Sequence, residues 1–252
     1  YAGVGDCCSM IYMWIDANED NLREAEAASR RAVELDPELA EAHASRGLAV
    51  SLSKNYEEAE REFEMAIRLN PNLFETYYFY GRTCFAQSLY EKAAMLFAKA
   101  SEANPNDYQA PSLKGLALRA MGRLDEARQA QRETLRLVEE YVALHPDDVR
   151  AVYFGALAHC EIGDRPQALE WAERALAMDS EEATVLYNIA CVYAQLGESG
   201  KAIDCLEKGF RKGFGHREWI ENDPDLKSLR DQPRFIALME NLRPRPSKFD
   251  SA

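Results

Sequence analysis

The sequence predicts an all-α solenoid of about six helix-turn-helix repeats with a helical cap at its C-terminal end. The first observation is a column of small residues, each in the middle of an apolar helical pattern: Gly47, Gly81, Gly115, Ala156 and Ala190. They follow one another at steps of 34, 34, 41 and 34 residues. The second observation is an alanine 12 residues after each of them, and the third is a further, mostly small, residue 19 after each. Columns that keep a fixed period indicate stacked units of one supersecondary type.

Each column has a physical role in a pair of helices. Small residues at facing positions let two helix axes approach to about 8–10 Å. Pro71 and Pro105 follow the second helices of their repeats, and proline cannot continue a helix. Gly122, Gly163 and Gly197 fall between two helices, where a turn with positive φ favours glycine. Neither helix can bury its apolar face alone, so the repeats are expected to stack.

The repeats are expected to follow one another in a single domain. Their predicted bounds are 1–39, 40–73, 74–107, 108–148, 149–182 and 183–213, with a cap and tail over 214–252. The first repeat has a helix over residues 1–15, with Gly5 as its small residue, and needs extra residues in the polar turn Asp16–Asn21. Because Tyr1 already lies inside that helix, the chain is expected to be cut from a longer protein. The second helix of the fourth repeat is expected to run about two turns longer than its neighbours.

Apolar residues near the C-terminus are predicted to close the end of the stack, because the last repeat would otherwise expose its core. These residues are Trp219, Leu226, Leu229, Phe235, Leu238 and Leu242. The segment Arg243–Ala252 contains two prolines and is expected to be a frayed tail.

The columns resemble the tetratricopeptide repeat family. The resemblance rests on Gly47, Ala59, Phe63, Ala66, Pro71, Tyr77, Gly81, Ala93, Phe97, Ala100, Pro105, Gly115, Gly122, Ala127, Ala156, Gly163, Ala168, Ala175, Ala190, Tyr193, Gly197 and Ala202. It implies a right-handed superhelix whose first helices line a concave groove. The C-terminal end also resembles the repeat regions of multidomain bacterial signalling proteins, which join such arrays to cyclase, kinase or winged-helix modules.

Helical phase predicts which residues of the first helices face that groove. Positions −6, −3, +1 and +4 from each small residue lie on one stripe. The candidate binding residues, including an asparagine next to the stripe, are Tyr78, Arg82, Phe85, Arg119, Arg150, Tyr153, Tyr187 and Asn188. Tyrosine and arginine are enriched in binding hot spots, which favours a surface for an extended peptide or partner helix. The alternative is that the tyrosines cover helix surface and the arginines pair with acids of neighbouring helices. If the groove binds a partner, replacing Arg82 and Arg119 together by alanine should weaken binding without unfolding the array.

Composition excludes several other classes of protein. The chain of 252 residues carries a formal charge of −13, which disfavours direct contact with nucleic acid or anionic lipid. No run of 18 apolar residues is present, so no membrane insertion is expected. The six cysteines form no C-x-x-C pair and are read as reduced and mostly buried, which favours a cytoplasmic protein.

Enzyme chemistry has little support in the sequence, and no catalytic residue, metal site or cofactor is predicted. His43, His145, His159 and His216 lie in different repeats and lack the i, i+4 spacing of a metal pair. His159 is expected to be a hydrogen-bonded core histidine. The carboxyl groups around Pro224 are interpreted as helix caps rather than as a catalytic pair.

The sequence therefore favours a non-catalytic scaffold that binds a peptide or partner domain, either from another protein or from its own chain. The alternative is a cis-acting regulatory or sensor domain of a larger bacterial signalling protein, such as a cyclase, kinase or transcription regulator. In that case the groove would be filled by the chain itself and released by a signal.

Overall fold

The computed structural model describes residues 1–214 and 217–242, which form α-helices, one 3-10 helix and no β-strand. The predicted all-α helical repeat fold is confirmed. The chain divides into two compact units, unit 1 (Tyr1–Pro105) and unit 2 (Asn106–Arg243). The expectation of a single domain stays a prediction. His216 and the tail 243–252 lie outside the described residues.

Unit 1 is built from three pairs of consecutive helices. These are α1 (Ala2–Trp14), α2 (Glu19–Leu35), α3 (Ala40–Leu52), α4 (Tyr56–Leu69), α5 (Phe74–Ala86) and α6 (Tyr90–Ala103). Within the pairs, small residues admit the rings of the opposite helix. A Cβ atom on Gly47 would lie 2.8 Å from the Phe63 ring, and one on Gly81 would lie 2.8 Å from the Phe97 ring. Both phenylalanines are fully buried, so the repeated glycine is the position where the two helices of a pair meet.

Unit 2 continues the same construction and ends in a capping segment. Its helices are α7 (Gln109–Ala120), α8 (Leu124–Leu144), α9 (Val149–Ile162), α10 (Arg165–Met178), α11 (Ala183–Gln195), α12 (Ser199–Arg211), α13 (Arg217–Asn222) and α14 (Pro233–Asn241), with a 3-10 helix over Pro224–Leu229 before the last. Helix α8 has 21 residues, in agreement with the longer second helix expected there.

The close contact in the fifth repeat differs from the predicted column. The sequence places the small residue at Ala156, and Ala156 is indeed fully buried. The closest approach lies one residue earlier, because a Cβ atom on Gly155 would be only 2.3 Å from the Trp171 ring. Ala172, which is fully buried, occupies the position that Phe63 holds in the second repeat. In the fifth repeat, the large ring and the glycine that it packs on therefore both lie one position earlier than in the second and third repeats.

The turns between paired helices follow the expected chemistry in three repeats. Gly122, Gly163 and Gly197 have φ values of 76°, 88° and 78°. Lys54 and Ser88 take the same left-handed conformation in the second and third repeats, with φ values of 65° and 61°. The turn needs this conformation whichever residue is present, and glycine adopts it without the clash of a Cβ atom.

Two expectations about the first repeat and the cysteines need correction. Helix α2 begins at Glu19, because the Asn18 side chain accepts a hydrogen bond from the backbone N–H of Asp20 at 2.8 Å. The polar stretch predicted as a loop to Asn21 is thus partly helical, since its asparagine acts as an N-cap. All six cysteines are free, but only Cys84 and Cys191 are buried. His159 is buried as expected, yet its Nδ1 atom has no hydrogen-bond partner.

The stretch after α12 packs on unit 2 and buries most of the residues that were predicted to cap the stack. Trp219, Leu226, Leu229, Phe235 and Leu242 are buried, whereas Leu238 is half-buried. We call residues 217–242 the C-terminal segment. Its 3-10 helix packs on α7, α11 and α12, and α14 packs on α12.

Candidate binding face of the second unit

Arg119 joins the ends of three helices in unit 2 to the C-terminal segment. It lies in the last turn of α7, and its Nη1 atom is 2.7 Å from Glu161 Oε2, in the last turn of α9. The same nitrogen donates to Gln195, the last residue of α11. It also lies 2.8 Å from Asp225 Oδ1 in the C-terminal segment. Nη2 donates to the Pro224 carbonyl at 3.4 Å.

The turn Asp223-Pro224-Asp225 brings its two carboxyl groups against this face. Pro224 begins the 3-10 helix, where its missing N–H has no role, and Asp223 caps it by accepting from the Asp225 N–H at 2.8 Å. The other oxygen of Asp223 accepts from the Tyr187 hydroxyl at 2.6 Å. The predicted capping role of Asp223 is thus present, but both aspartates also contact side chains of the first helices.

Apolar burial holds the turn in place. Ile220, which precedes the two aspartates in the chain, is 1% exposed. Leu226 and Leu229, which follow them, are fully buried. Ser228 adds a hydrogen bond to the Ala194 carbonyl of α11 at 3.0 Å. Burial of a large aliphatic side chain contributes about 1.5–3 kcal/mol. The C-terminal segment is therefore an integral part of unit 2.

Removal from water dominates the electrostatics of this region. It raises the pKa of the Asp225 carboxyl to about 8, an effect that Arg119 opposes and that the nearby Asp223 and Glu161 reinforce. It also raises the pKa of Asp223, against the hydrogen bond from Tyr187. Burial likewise raises the pKa of the Tyr187 hydroxyl above its ordinary range.

Within residues 1–214 and 217–242, one group of side chains has the spacing of metal ligands. Cys191, Asp223 and Asp225 each place one ligand atom within 4.8 Å of the others. Their atoms are already engaged, because the Cys191 thiol lies 3.8 Å from Asp223, whose two oxygens accept from Tyr187 and from a backbone N–H. Asp225 lies against the Arg119 guanidinium. We assign no metal to these groups, because Asp223 and Asp225 already contact donors or a cation of the chain itself.

The remaining candidate residues of unit 2 lie near the beginning of α9 and within α11. Arg150 lies in the first turn of α9 and is half-buried. Burial raises the pKa of the nearby Glu182 carboxyl, and the positive charge of Arg150 opposes this rise. Tyr153 is buried beside Phe154, with ring centres 5.2 Å apart. Asn188 is half-buried and donates to the Thr184 carbonyl at 2.8 Å.

The three candidate residues of unit 1 lie along α5. The Arg82 guanidinium is 5.4 Å from the Trp14 ring centre and 5.8 Å from that of Tyr78, within the range of cation–π attraction. Tyr78 is buried. Phe85 is fully buried, and its ring meets that of Tyr90 edge-on at 5.3 Å.

The structure thus brings Arg119 and Tyr187 together through Asp223 and Asp225, and it brings Tyr78 next to Arg82. For Arg119, the alternative interpretation applies, since it pairs with Glu161 of a neighbouring first helix. Sequence reasoning missed this role of Glu161 and the contact with Asp225. No local pattern marks either one, because both are far from Arg119 along the chain.

None of the helices that the structure describes combines the length with the apolar character that a bilayer span requires.

Comparison with known proteins agrees with the repeat pattern. Models of the tetratricopeptide repeat match residues 17–74 and 54–108, residues 108–181 and residues 183–211. A chloroplastic protein of Arabidopsis thaliana is 30% identical over 116 residues. That match covers 45% of this chain and 33% of the Arabidopsis protein, so the chain spans about a third of that relative.

Solved structures share the fold at low sequence identity. PilF of Pseudomonas aeruginosa has a TM-score of 0.53 at 19% identity, with 87% of this chain and 96% of that chain covered. PilW, a type IV pilus biogenesis factor, has a TM-score of 0.53 at 19% identity over 90% and 97%. Cut9 in the APC/C hetero-tetramer Cut9–Hcn1 has a TM-score of 0.56 at 15% identity over 88% and 40%. The models together cover most of the sequence, and the chain belongs to the tetratricopeptide repeat family.

Proposed function

We propose that this chain is a non-catalytic protein-interaction scaffold that binds an acidic segment of a partner protein along the first helices of unit 2. Membership of the tetratricopeptide repeat family supports the scaffold role. The partner would contact Arg150 and Asn188, which are half-buried, whereas Tyr153 is buried and would support the helix that carries Arg150. Arg82 and Tyr78 would serve the corresponding face of unit 1, with Phe85 beneath them.

The observation that carries the proposal is the seating of the chain's own acidic turn. Arg119 and Tyr187, two residues of the predicted stripe, hold the carboxyl groups of Asp225 and Asp223. Arginine and tyrosine donors bind carboxyl groups, and their hydrogen bonds are strongest when the carboxyl group is ionised. An arginine and a tyrosine recur on α9 as Arg150 and Tyr153, and Arg150 could pair with a second acidic segment by the same chemistry.

A partner would use the neighbouring part of this face and not displace the C-terminal segment. The segment buries several large apolar side chains, so releasing it completely would expose them to water. Arg150 lies at the other end of α9 from Glu161 and its contact with Arg119. The two ends of α9 therefore have different roles in the proposal.

The test selects binders from a library of displayed random peptides on the full chain. Calorimetry then measures the affinity of the selected peptide for wild type, Arg150→Glu and Arg136→Glu. Arg136 is exposed on α8, and its replacement changes the net charge equally. We expect Arg150→Glu to weaken binding about tenfold or more, the effect of losing one hot-spot contact, and Arg136→Glu to leave it nearly unchanged. Equal effects of the two replacements would place the site elsewhere.

A cis-acting regulatory or sensor domain of a larger bacterial signalling protein is the second candidate. It is favoured by the way the C-terminal segment covers part of the first-helix face of unit 2. The coding sequence on both sides of this chain tests it. A cyclase, kinase or winged-helix module there would support the regulatory role, whereas further repeats alone would count against it.

A cytoplasmic location and the absence of direct nucleic-acid contact belong to the same proposal. The six free cysteines support a reducing compartment. The net charge of −13 supports protein partners over nucleic acid. Electrophoretic mobility of duplex DNA with the purified chain tests the second point, and a salt-sensitive shift would contradict it.

A further inference from the structure

The charges around Arg119 do not balance. We call Arg119, Glu161, Asp223 and Asp225 the Arg119 cluster. The guanidinium faces three carboxyl groups, with Glu161 at 2.7 Å, Asp225 at 2.8 Å and Asp223 next to Asp225. With every carboxyl ionised, the cluster would carry two uncompensated negative charges away from water. Buried charge without a partner is strongly unfavourable, so one carboxyl is expected to hold a proton.

The surrounding backbone makes ionisation of Asp225 still less favourable. Arg119, Glu161 and Gln195 all lie in the last turns of α7, α9 and α11. The C-terminal end of a helix carries partial negative charge, which stabilises a cation and destabilises an anion. Three such ends meet at the cluster. They favour Arg119 at this place and oppose a second carboxylate beside it.

We propose that a proton on Asp225 stabilises the packing of the C-terminal segment on the first helices of unit 2, so that the segment opens more often as the pH rises. The proposal concerns the seating of the segment and does not depend on partner binding at Arg150. Protonated Asp225 is neutral and leaves Arg119 to pair with Glu161. Ionised Asp225 adds a carboxylate to a cluster that already contains two others.

The titratable and charged groups that face Asp225 come from each element packed around it. They are Arg119 of α7, Cys160 and Glu161 of α9, Tyr187 and Cys191 of α11, and Asp223 of the segment itself, with Arg230 acting on Asp223. Burial raises the pKa of the Cys160 thiol to about 12, and it raises the pKa values of Cys191 and Tyr187 as well. These three groups therefore stay neutral near neutral pH, and the carboxyl groups dominate the titration.

The direction of the pH effect follows from linkage. Asp225 titrates near 3.8 when solvated and near 8 when the segment is seated. Between these values only the seated form holds the proton, so the equilibrium constant for lifting the segment rises up to tenfold per pH unit. The stabilisation is complete below the lower value. The stabilisation is lost as the pH rises toward the pKa of Asp225 in the seated segment. Above that pKa, the opening equilibrium no longer changes with pH.

Cys191 reports the lifting of the segment. Its thiol is 2% exposed and lies 3.8 Å from Asp223, so it is covered while the segment is seated. Alkylation of Cys191 by iodoacetamide in the full chain, followed by mass spectrometry of its peptide, measures how often the site opens. The rate for wild type is divided by the rate for Asp225→Asn at each pH. The intrinsic pH dependence of the thiol reaction cancels in this ratio.

We expect the ratio to rise about tenfold per pH unit from about pH 5.5 to about pH 7.5 and to level off near pH 8. Glu161→Gln is a second variant for the case that Asp225→Asn does not fold. Removing the Glu161 charge lowers the pKa of Asp225, so the rise in labelling should end at a lower pH than in wild type.

Two controls separate the proposal from general loosening. Asp231 is an exposed carboxyl on the same segment, and Asp231→Asn should keep the wild-type pH profile. Cys84 is buried in unit 1, and its labelling ratio should stay constant. A ratio for Cys191 that does not change with pH would overturn the proposal. A ratio for Cys84 that rises in parallel would also overturn it, because the opening would then be global.

Discussion

Replacing Arg119 by methionine removes the guanidinium but keeps a long apolar stem. Glu161 and Asp225 would then face each other without their shared cation, with 11% and 8% of their side chains exposed. Gln195 and the Pro224 carbonyl would also lose a donor. Removing one partner of a buried ion pair costs about 3–5 kcal/mol, because the other charge stays buried without compensation. We expect a loss of unfolding free energy in that range.

Arg136 provides the matched comparison on the surface of the same unit. It also lies between two carboxylates, with Glu133 and Glu140 each at 2.7 Å, but 51% of its side chain is exposed. Water already solvates these three groups, so the pairs contribute little. Arg136→Met should therefore lower the free energy of unfolding far less than Arg119→Met does. The contrast between the two replacements isolates the effect of burial from that of geometry.

Urea unfolding of the full chain, followed by far-UV circular dichroism, measures both changes. Unfolding of repeat proteins can lose cooperativity, so midpoints and slopes are compared together. The triple variant Arg119→Met, Glu161→Gln, Asp225→Asn removes the guanidinium together with both carboxyl groups and should recover much of the loss. The reasoning is refuted if Arg119→Met costs no more than Arg136→Met, or if the triple variant is no more stable than the single one.

Two further predictions concern glycines. Gly197→Ala should lower the free energy of unfolding by about 1 kcal/mol, because Gly197 has a φ of 78°. Gly200→Ala, three residues later in α12, should raise it by about 0.5 kcal/mol, although both positions are equally open to solvent. Equal shifts in the thermal midpoint of the two variants would contradict this prediction. Gly155→Ala should lower the free energy of unfolding by about 1–3 kcal/mol in wild type, because the new methyl group would lie 2.3 Å from the Trp171 ring. The loss should be clearly smaller in a Trp171→Leu background, where that ring is absent. A double-mutant cycle that shows no coupling between the two positions would contradict this prediction.

The sequence predicts most of the fold because each repeat restates the same local constraints. Gly47 and Gly81 each face a fully buried ring 16 residues later, and Gly163 takes the positive φ of its turn. The shift from Ala156 to Gly155 was not predictable from a single column. It depends on which side chain of α10 packs against α9, and a single column contains no information about that contact.

The candidate face was predictable only in part, for a related reason. Helical period assigns Arg119 and Tyr187 to one stripe, because three or four residues return to the same side of a helix. It contains no information about which acid reaches that stripe, and Asp225 reaches Arg119 from 106 residues away. Asp223 was predicted as a cap from its position before Pro224, and it is one, but its second oxygen contacts Tyr187.

Charge on the predicted stripe must therefore be counted after the contacts within the chain are known. From the sequence alone, Arg82, Arg119 and Arg150 are equivalent candidates for binding a partner's carboxylate. Arg119 is already committed to Glu161 and Asp225, so replacing it disturbs unit 2 whether or not a partner exists. A loss of binding in an Arg82 and Arg119 double variant would then have two causes. Arg150 lies at the opposite end of α9 from Glu161, so its replacement leaves the contacts of Arg119 with Glu161 and Asp225 in place.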